Sequence, residues 1–199
     1  IFIFWLNDSF SNMIPTTVAK QLIRQEMRKN RRALDNQFVT QASLKLFKNL
    51  KTIIDKYENI AIYYAANNEI SLQPVIEYLI QTNKQVYRPI AKKSSRIMEF
   101  ELVSDTHEYD IFVDENYVSN QTIECYNLDL ILLPLIAVNA SGYRLGQGGG
   151  YYDNTLANNK TTILCGVGYQ WQLINNLPYD ALDVPLHIFA NEQEILYFT

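Results

Sequence analysis

The sequence predicts a single α/β domain with three layers, in which a mostly parallel central sheet carries helices on both faces, as in Rossmann-like folds. Its 199 residues suit one domain. A hydrophobic share of 48% with 19% charged residues excludes a disordered or low-complexity chain. Short apolar strands alternate with helical patterns, which favours a parallel sheet. We expect this domain to span residues 13–199, and residues 1–12 to be an extension outside it.

The individual helices and strands are predicted from two patterns of apolar residues. Apolar residues three and four apart indicate amphipathic helices, and Thr16 or Thr17 is available to cap the first one. Short β-branched and aromatic runs indicate strands, and the nearly unbroken apolar run 128–136 is typical of a strand buried on both faces. The predicted elements are helices over 17–34 and 38–53, a strand over 59–65, a helix over 72–80, strands over 85–90, 96–103 and 128–136, a helix from about Tyr152, and a strand over 161–169.

Composition narrows the classes of partner. A net charge of −4 does not suggest a protein that binds nucleic acid. The apolar opening, residues 1–6, is too short to span a bilayer and lacks the basic start of a signal peptide, so we expect no membrane anchor. Cys125 and Cys165 are too few for a disulfide framework or, with His107 and His187, for a structural zinc site. We therefore expect a cytoplasmic monomer.

Basic residues concentrate in the first predicted helix. Six of the 17 lie between Lys20 and Arg32, a stretch with one acid. Lys20, Arg24, Arg28 and Arg31 follow one another at spacings of four, four and three residues, so they share one face of the helix. A solvated surface is the more common reason for such a stripe, and an anion-binding site is the alternative.

The most informative stretch is GYRLGQGGGYYD, residues 142–153, which contains five of the seven glycines. Glycine permits positive φ and lets backbone N–H groups approach a ligand, and the helix that follows adds partial positive charge, so the stretch predicts a phosphate-binding loop. Arg144 supplies a cation and Asp153 a hard oxygen ligand. The stretch lacks the ending of a P-loop, and Tyr151 stands where a dinucleotide fingerprint needs glycine. A turn without a ligand and an ordinary dinucleotide site are the alternatives.

This run, preceded by a buried strand that ends in Leu-Pro, resembles the signature of the 5-formyltetrahydrofolate cyclo-ligase, or methenyltetrahydrofolate synthetase, family. Further stretches agree in order, so the resemblance covers roughly residues 17–192. They are Lys20-x-x-x-Arg24 with Arg28, Glu69 five residues beyond Tyr64, the pair Met98 and Phe100, and the tail Leu177-Pro178, Asp183, Val184-Pro185 and Glu192.

The resemblance implies a ligase that converts 5-formyltetrahydrofolate to 5,10-methenyltetrahydrofolate, with ATP as co-substrate and Mg²⁺ as cofactor. ADP and phosphate are released through a phosphorylated formyl intermediate, and the folate partner can carry a polyglutamate tail. The implied catalytic residues are Arg144, Lys20 and Arg24, and the implied metal ligands are Asp153 and Asp183. The implied ATP-binding residues are Lys20, Gln21, Leu22, Ile23, Arg24, Arg144, Leu145, Gly146, Gln147, Gly148, Gly149, Gly150, Tyr151 and Tyr152. The implied substrate-binding residues are Arg24, Tyr64, Glu69, Gln147, Gly148, Gly149, Gly150 and Tyr151.

Four positions depart from the family pattern. Leu182 stands where the family usually has His, Asn191 replaces a common Thr, and Gln147 and Gly149 occupy positions that are often aromatic or basic. These departures concern the tuning of the metal site and the affinity for substrate. They leave open a second function, a non-catalytic paralogue of the same fold that binds folate or nucleotide.

Overall fold

The computed structural model describes residues 15–119 and 121–198, so the predicted extension over residues 1–12 lies outside the described residues. Two 3₁₀ turns, Cys125–Asn127 and Gln170–Gln172, accompany the regular elements. The helices are α1 (Thr16–Arg32), α2 (Asn36–Ile54), α3 (Gln73–Gln81) and α4 (Tyr151–Leu156). The strands are β1 (Asn59–Ala61), β2 (Gln85–Ile90), β3 (Glu99–Val103), β4 (Thr122–Ile123), β5 (Leu130–Pro134), β6 (Ala137–Val138), β7 (Arg144–Leu145), β8 (Ile163–Val167), β9 (Ile188–Ala190) and β10 (Ile195–Tyr197).

Eight of these strands form one sheet in the order β10-β9-β8-β5-β1-β2-β3-β4, and β6 and β7 form a separate hairpin. The central strands β9, β8, β5, β1 and β2 are parallel, and Ile60 on β1 pairs with Val86 on one side and Leu130 on the other. The edges are antiparallel, through β3 and β4 on one side and β10 on the other. The predicted mostly parallel α/β sheet is confirmed.

The two faces of the sheet are covered differently. Helices α2 and α3 pack on one face, where Leu46, Leu50 and Val75 join Ile60 in a fully buried cluster. The other face is covered by the short helix α4, through Leu156, and by loop residues. Helix α1 lies apart from both layers and packs on the β6–β7 hairpin. Its core contacts are Ile23 and Met27 against Ile136, Ala137 and Leu145.

Several predicted boundaries need correction. Helix α1 ends at Arg32 rather than Leu34, and its N-cap is Pro15, which makes no side-chain cap hydrogen bond. The predicted strand over 96–103 begins only at Glu99. The glycine-rich stretch does not follow β5 directly, because the β6–β7 hairpin intervenes and places Arg144 in a strand. Within the residues that the structure describes, no helix has the length and apolar character to cross a membrane.

The loops that follow the parallel strands meet at one edge of the sheet. In an open α/β sheet this carboxyl edge is where ligands bind. The loop after β1 carries Glu69, the loop after β2 carries Arg96, and the chain after β5 leads to the glycine-rich stretch. Asp183 lies in the long connection after β8. The fold therefore gathers the predicted site residues at this edge.

Candidate active site

Residues 146–150, here called the glycine loop, connect β7 to α4. Three arginine side chains from two parts of the chain donate to carbonyl oxygens of this loop. Arg24 Nε donates to Gly146 at 2.9 Å, Arg28 Nη2 donates to Gln147 at 3.0 Å, and Arg96 Nη1 donates to Gly149. The loop is thus held through its carbonyl groups, and its conformation is fixed by cations.

The hydrogen bonding of the backbone N–H groups in the glycine loop differs from that of its carbonyl groups. Within residues 15–119 and 121–198, the backbone N–H groups of residues 147–150 donate to no protein acceptor. Gly148 and Gly150 adopt positive φ values of 103° and 73°, which only glycine reaches without strain. Successive unpaired N–H groups in such a bend form a concavity that suits an anion. The geometry agrees with the predicted phosphate-binding loop.

The basic stripe on α1 is directed at the site rather than into solvent. Lys20 is buried, and its Nζ lies 2.9 Å from Asp180 Oδ2 and 2.5 Å from Asp183 Oδ2. Burial lowers the pKa of Lys20, but the hydrogen bonds to Asp183 and Asp180 outweigh it, and the net pKa is raised. Arg31 is also buried, at 2% exposure. A solvated surface is therefore the wrong interpretation for these two positions.

Arg144 is the buried cation at the base of the site. Strand β7 positions its guanidinium so that Nη1 donates to the Val184 carbonyl at 2.7 Å and Nη2 lies 3.0 Å from Asp153 Oδ1. The guanidinium also lies 6.0 Å from the centre of the Tyr152 ring. Asp153, in the first turn of α4, accepts in addition from the Val184 N–H at 3.3 Å. Arg144 thus ties β7, α4 and the connection after β8 together.

Asp153 and Asp183, the two predicted metal ligands, are brought into one region. Asp153 bonds to the backbone of Val184, the residue after Asp183, and both carboxylates act electrostatically on Arg24. Burial, and then repulsion by Arg28, lowers the pKa of Arg24 against this attraction. In the described part of the chain, no three His, Cys, Asp or Glu side chains cluster to hold a metal. Since Mg²⁺ binds through one or two carboxylates together with substrate phosphates, the pair fits magnesium that arrives with a nucleotide.

Glu69 and Tyr64 lie in the loop after β1, beside the glycine loop. Glu69 Oε1 lies 3.1 Å from Arg31 Nη1, and Oε2 accepts from the Ala66 N–H at 3.1 Å. The Tyr64 hydroxyl is buried and finds no hydrogen-bond partner within the described residues. Burial raises the pKa of Tyr64, so this hydroxyl stays neutral. Glu69 and Tyr64 thus lie in the same loop, but the groups that act on Tyr64 are Arg88, Tyr109, Asp105 and Glu108 rather than Glu69.

The remaining predicted residues divide between surface and core. Gln21 and Leu22 are exposed on α1, whereas Ile23 and Leu145 are buried in the packing between α1 and the hairpin. Met98 and Phe100 are fully buried. Burial raises the pKa of both cysteine thiols, which agrees with their exclusion from the site.

The sequence argument missed Arg96, Asp180 and Phe112, the aromatic partner of Tyr151. The Arg96 guanidinium lies 5.2 Å from the centre of the Tyr151 ring, and Phe112 meets the same ring edge-on at 5.5 Å. Asp180 pairs with Lys20. No motif marks these residues. For Arg96 and Asp180 the available signal was their position in loops that follow parallel strands, whereas Phe112 follows the antiparallel strand β3.

Fold and geometry together define the class: an α/β protein with a cationic, glycine-rich candidate site at the carboxyl edge of its sheet. Comparison with known proteins identifies the family. A family model described as "5-formyltetrahydrofolate cyclo-ligase family" matches residues 16–192. The chain belongs to this family, so the predicted family and enzyme class are confirmed.

Relatives and solved structures agree. The 5-formyltetrahydrofolate cyclo-ligase of Haemophilus influenzae is 35% identical over 185 residues, which cover 85% of this chain and 96% of that protein. The enzyme of the same name from Escherichia coli K12 is 30% identical over 134 residues, covering 64% and 74%. The structure of Aquifex aeolicus 5,10-methenyltetrahydrofolate synthetase superposes with a TM-score of 0.76 at 26% identity, covering 89% of this chain and 92% of that one. The Mycoplasma pneumoniae synthetase, at 23% identity and a TM-score of 0.73, shares the fold.

Proposed function

We propose that this protein converts 5-formyltetrahydrofolate to 5,10-methenyltetrahydrofolate, using ATP with Mg²⁺ and releasing ADP and phosphate. Membership of the cyclo-ligase family supports the folate conversion. The observation that carries the use of ATP is the glycine loop, whose carbonyl groups are held by three arginines while the N–H groups of residues 147–150 find no acceptor in the described part of the chain. Such a loop accepts phosphate oxygens without rearranging its own hydrogen bonds.

The formyl carbon of 5-formyltetrahydrofolate is a poor electrophile, so the reaction requires its activation. The formyl oxygen attacks the γ-phosphorus, the bond to the β–γ bridging oxygen breaks, and ADP leaves. N10 then adds to the activated formyl carbon and loses its proton, and the phosphorylated oxygen departs as inorganic phosphate, which takes up that proton, to leave the methenyl bridge. Phosphoryl transfer depends mainly on positioning and charge neutralisation, for which a protein needs cations rather than an acid-base pair.

Lys20, Arg24 and Arg144 are the cations that we assign to this task. Lys20 and Arg144 are each paired with a carboxylate, Asp183 and Asp153 respectively. Bound Mg²⁺ would supply charge neutralisation at the phosphates, held by these same two aspartates. The lysine and arginine would then exchange their carboxylate partners for phosphate oxygens.

The folate side is assigned to the loop after β1 and to the glycine loop. Glu69 would accept hydrogen bonds from the N–H groups of the pterin, while Tyr64 and Tyr151 would bound the ring. Gly148, Gly149 and Gly150 would contact both ligands, while Gln147 would contact ATP and line the folate site. We retain the other predicted ATP-binding residues, from Gln21 to Ile23 and from Leu145 to Tyr152, as proposals. The expectations of a monomer, a cytoplasmic location and no nucleic-acid partner remain predictions.

A direct test is turnover of 5-formyltetrahydrofolate, followed at the near-ultraviolet absorbance of the methenyl product. We expect product only when ATP and Mg²⁺ are both present, with one ADP released per product. Binding of folate or ATP without ADP release would instead identify the non-catalytic paralogue. Enhanced NADH fluorescence on titration would support the dinucleotide alternative and contradict the proposal.

A further inference from the structure

The carboxylate of Glu69 already accepts three hydrogen bonds in this structure, two of them at Oε1. Two of its donors belong to the fixed frame of the site: the Arg31 guanidinium, whose side chain is 3% exposed, and the Ala66 N–H. The third donor comes from the glycine loop, 78 residues away, where Gln147 Nε2 lies 2.8 Å from Glu69 Oε1. A ligand that needs this carboxylate therefore meets an occupied acceptor.

Gln147 is the donor that can leave. Its side chain is exposed, and it precedes Gly148, whose positive φ gives the loop a bend that other residues do not favour. The other end of its amide is held on α1, because Oε1 accepts from Arg28 Nη2 at 2.9 Å and from Arg28 Nε at 3.3 Å. Its amide thus bridges Glu69, in the loop after β1, and Arg28, on α1.

The chemistry of this amide matches that of the proposed ligand. A primary amide presents an N–H donor beside a carbonyl acceptor. The N–H groups of a reduced pterin, which we assign to Glu69, are donors of the same kind as the amide N–H of Gln147. Glu69 therefore holds, in the free protein, a side-chain equivalent of the group that we assign to it in the complex.

We propose that Gln147 is an internal competitor of the folate, which must displace the glutamine amide from Glu69 before the pterin can bind there. This inference rests on the proposed function and deepens it, since it makes Gln147 a determinant of folate affinity with a defined sign. Hydrogen bonds broken on displacement are subtracted from those gained with the ligand. Removing the Gln147 amide therefore strengthens folate binding, whereas removing an ordinary substrate contact weakens it.

The test is an equilibrium titration of 5-formyltetrahydrofolate, without nucleotide, into the wild type and Gln147→Met, a variant of similar length that lacks the amide. We expect the Kd of the variant to be about threefold to tenfold lower, the range of one modest hydrogen bond. The matched control is Gln41→Met, an exposed glutamine on α2 that, within the described residues, makes no hydrogen bond to Glu69 or to the glycine loop. Its Kd should equal that of the wild type. An equal or higher Kd for Gln147→Met overturns the inference.

A double-mutant cycle locates the effect at Glu69. In a Glu69→Gln background the competitor loses its charged acceptor, so Gln147→Met should then change the Kd by less than about twofold. The same gain in both backgrounds overturns the inference. Failure of the proposed function is distinguishable: a wild type that converts the folate while Gln147→Met binds it more weakly refutes only the competitor. Absence of both turnover and binding in every protein refutes both.

Discussion

The cations of the site fall into two groups that the fold treats differently. At the rim, Arg24, Arg28 and Arg96 donate to carbonyl groups of the glycine loop and form no ion pair with a carboxylate within residues 15–119 and 121–198. At the floor, the buried cations Lys20 and Arg144 are paired with aspartates. The rim cations therefore hold the conformation of the glycine loop, while the positive charges of the floor are neutralised by the aspartates. Under the proposed function, a bound ligand would replace these carboxylates.

The largest effect should come from removing a buried cation of the floor. Arg144→Met leaves Asp153 without its cation and the Val184 carbonyl without its donor, and it removes charge from the proposed phosphate site. We expect kcat to fall by about 100-fold or more and the free energy of unfolding to fall by about 2 kcal/mol. The first is measured by turnover and the second by urea denaturation.

Arg28→Met is the matched change at the rim. Because the Arg28 side chain is half-buried and its bonds to the loop are exposed, the free energy of unfolding should fall by less than about 0.5 kcal/mol. Equal destabilisation by the two variants would contradict the division into rim and floor.

An effect smaller than that of Arg144→Met should distinguish substitutions at two glycines of the glycine loop. Gly148 has a φ of 103°, so Gly148→Ala strains the backbone beside Arg24, at a cost of about 1–2 kcal/mol. We expect the KM for ATP to rise about tenfold. Gly146 has ordinary φ, and a Cβ there would meet no atom within 4 Å, so Gly146→Ala is the control and should change the KM by less than about twofold. If both variants behave alike, the conformation of the loop is not what binds the nucleotide.

The smallest effect should be a pH dependence at the floor. The hydrogen bond from Lys20, and then that from the Leu182 N–H, holds the pKa of Asp180 below its usual value of 3.8, while the pKa of Lys20 is raised above 10.5. The stabilisation is therefore complete above the usual pKa of aspartate and is lost as the pH falls through the lowered value.

Asp180→Asn should accordingly be less stable than the wild type by no more than about 0.5 kcal/mol between about pH 5 and 9, because the carboxylate is half-exposed. This difference should shrink below about pH 4. Thermal unfolding at a series of pH values measures it, and a difference that grows on acidification would contradict the assignment.

Much of the fold could be predicted from sequence, because strands buried on both faces leave long apolar runs. Strand β2 was predicted with its observed bounds, Gln85–Ile90, and β5 lies inside the predicted run 128–136. The β6–β7 hairpin was not predicted, since strands of two residues are too short to show any period. Pattern reasoning works where an element is long enough to repeat.

The site could be predicted only in part. The glycine loop is contiguous in sequence, so its residues carried a recognisable motif. The pairs Lys20 with Asp180 and Arg31 with Glu69 join distant segments, and only the docking of α1 determines them. Arg96 carried no signal, because its role depends on how the loop after β2 approaches Gly149.

The separation of these partners along the chain affects synthesis. Arg24 meets a loop 122 residues later, and Lys20 meets Asp183 163 residues later. Helix α1 therefore remains without these partners until the later segments of the chain have been synthesised. A product that ends after β8 would keep six of the eight strands of the large sheet but would lack Asp180 and Asp183, the carboxylate partners of Lys20.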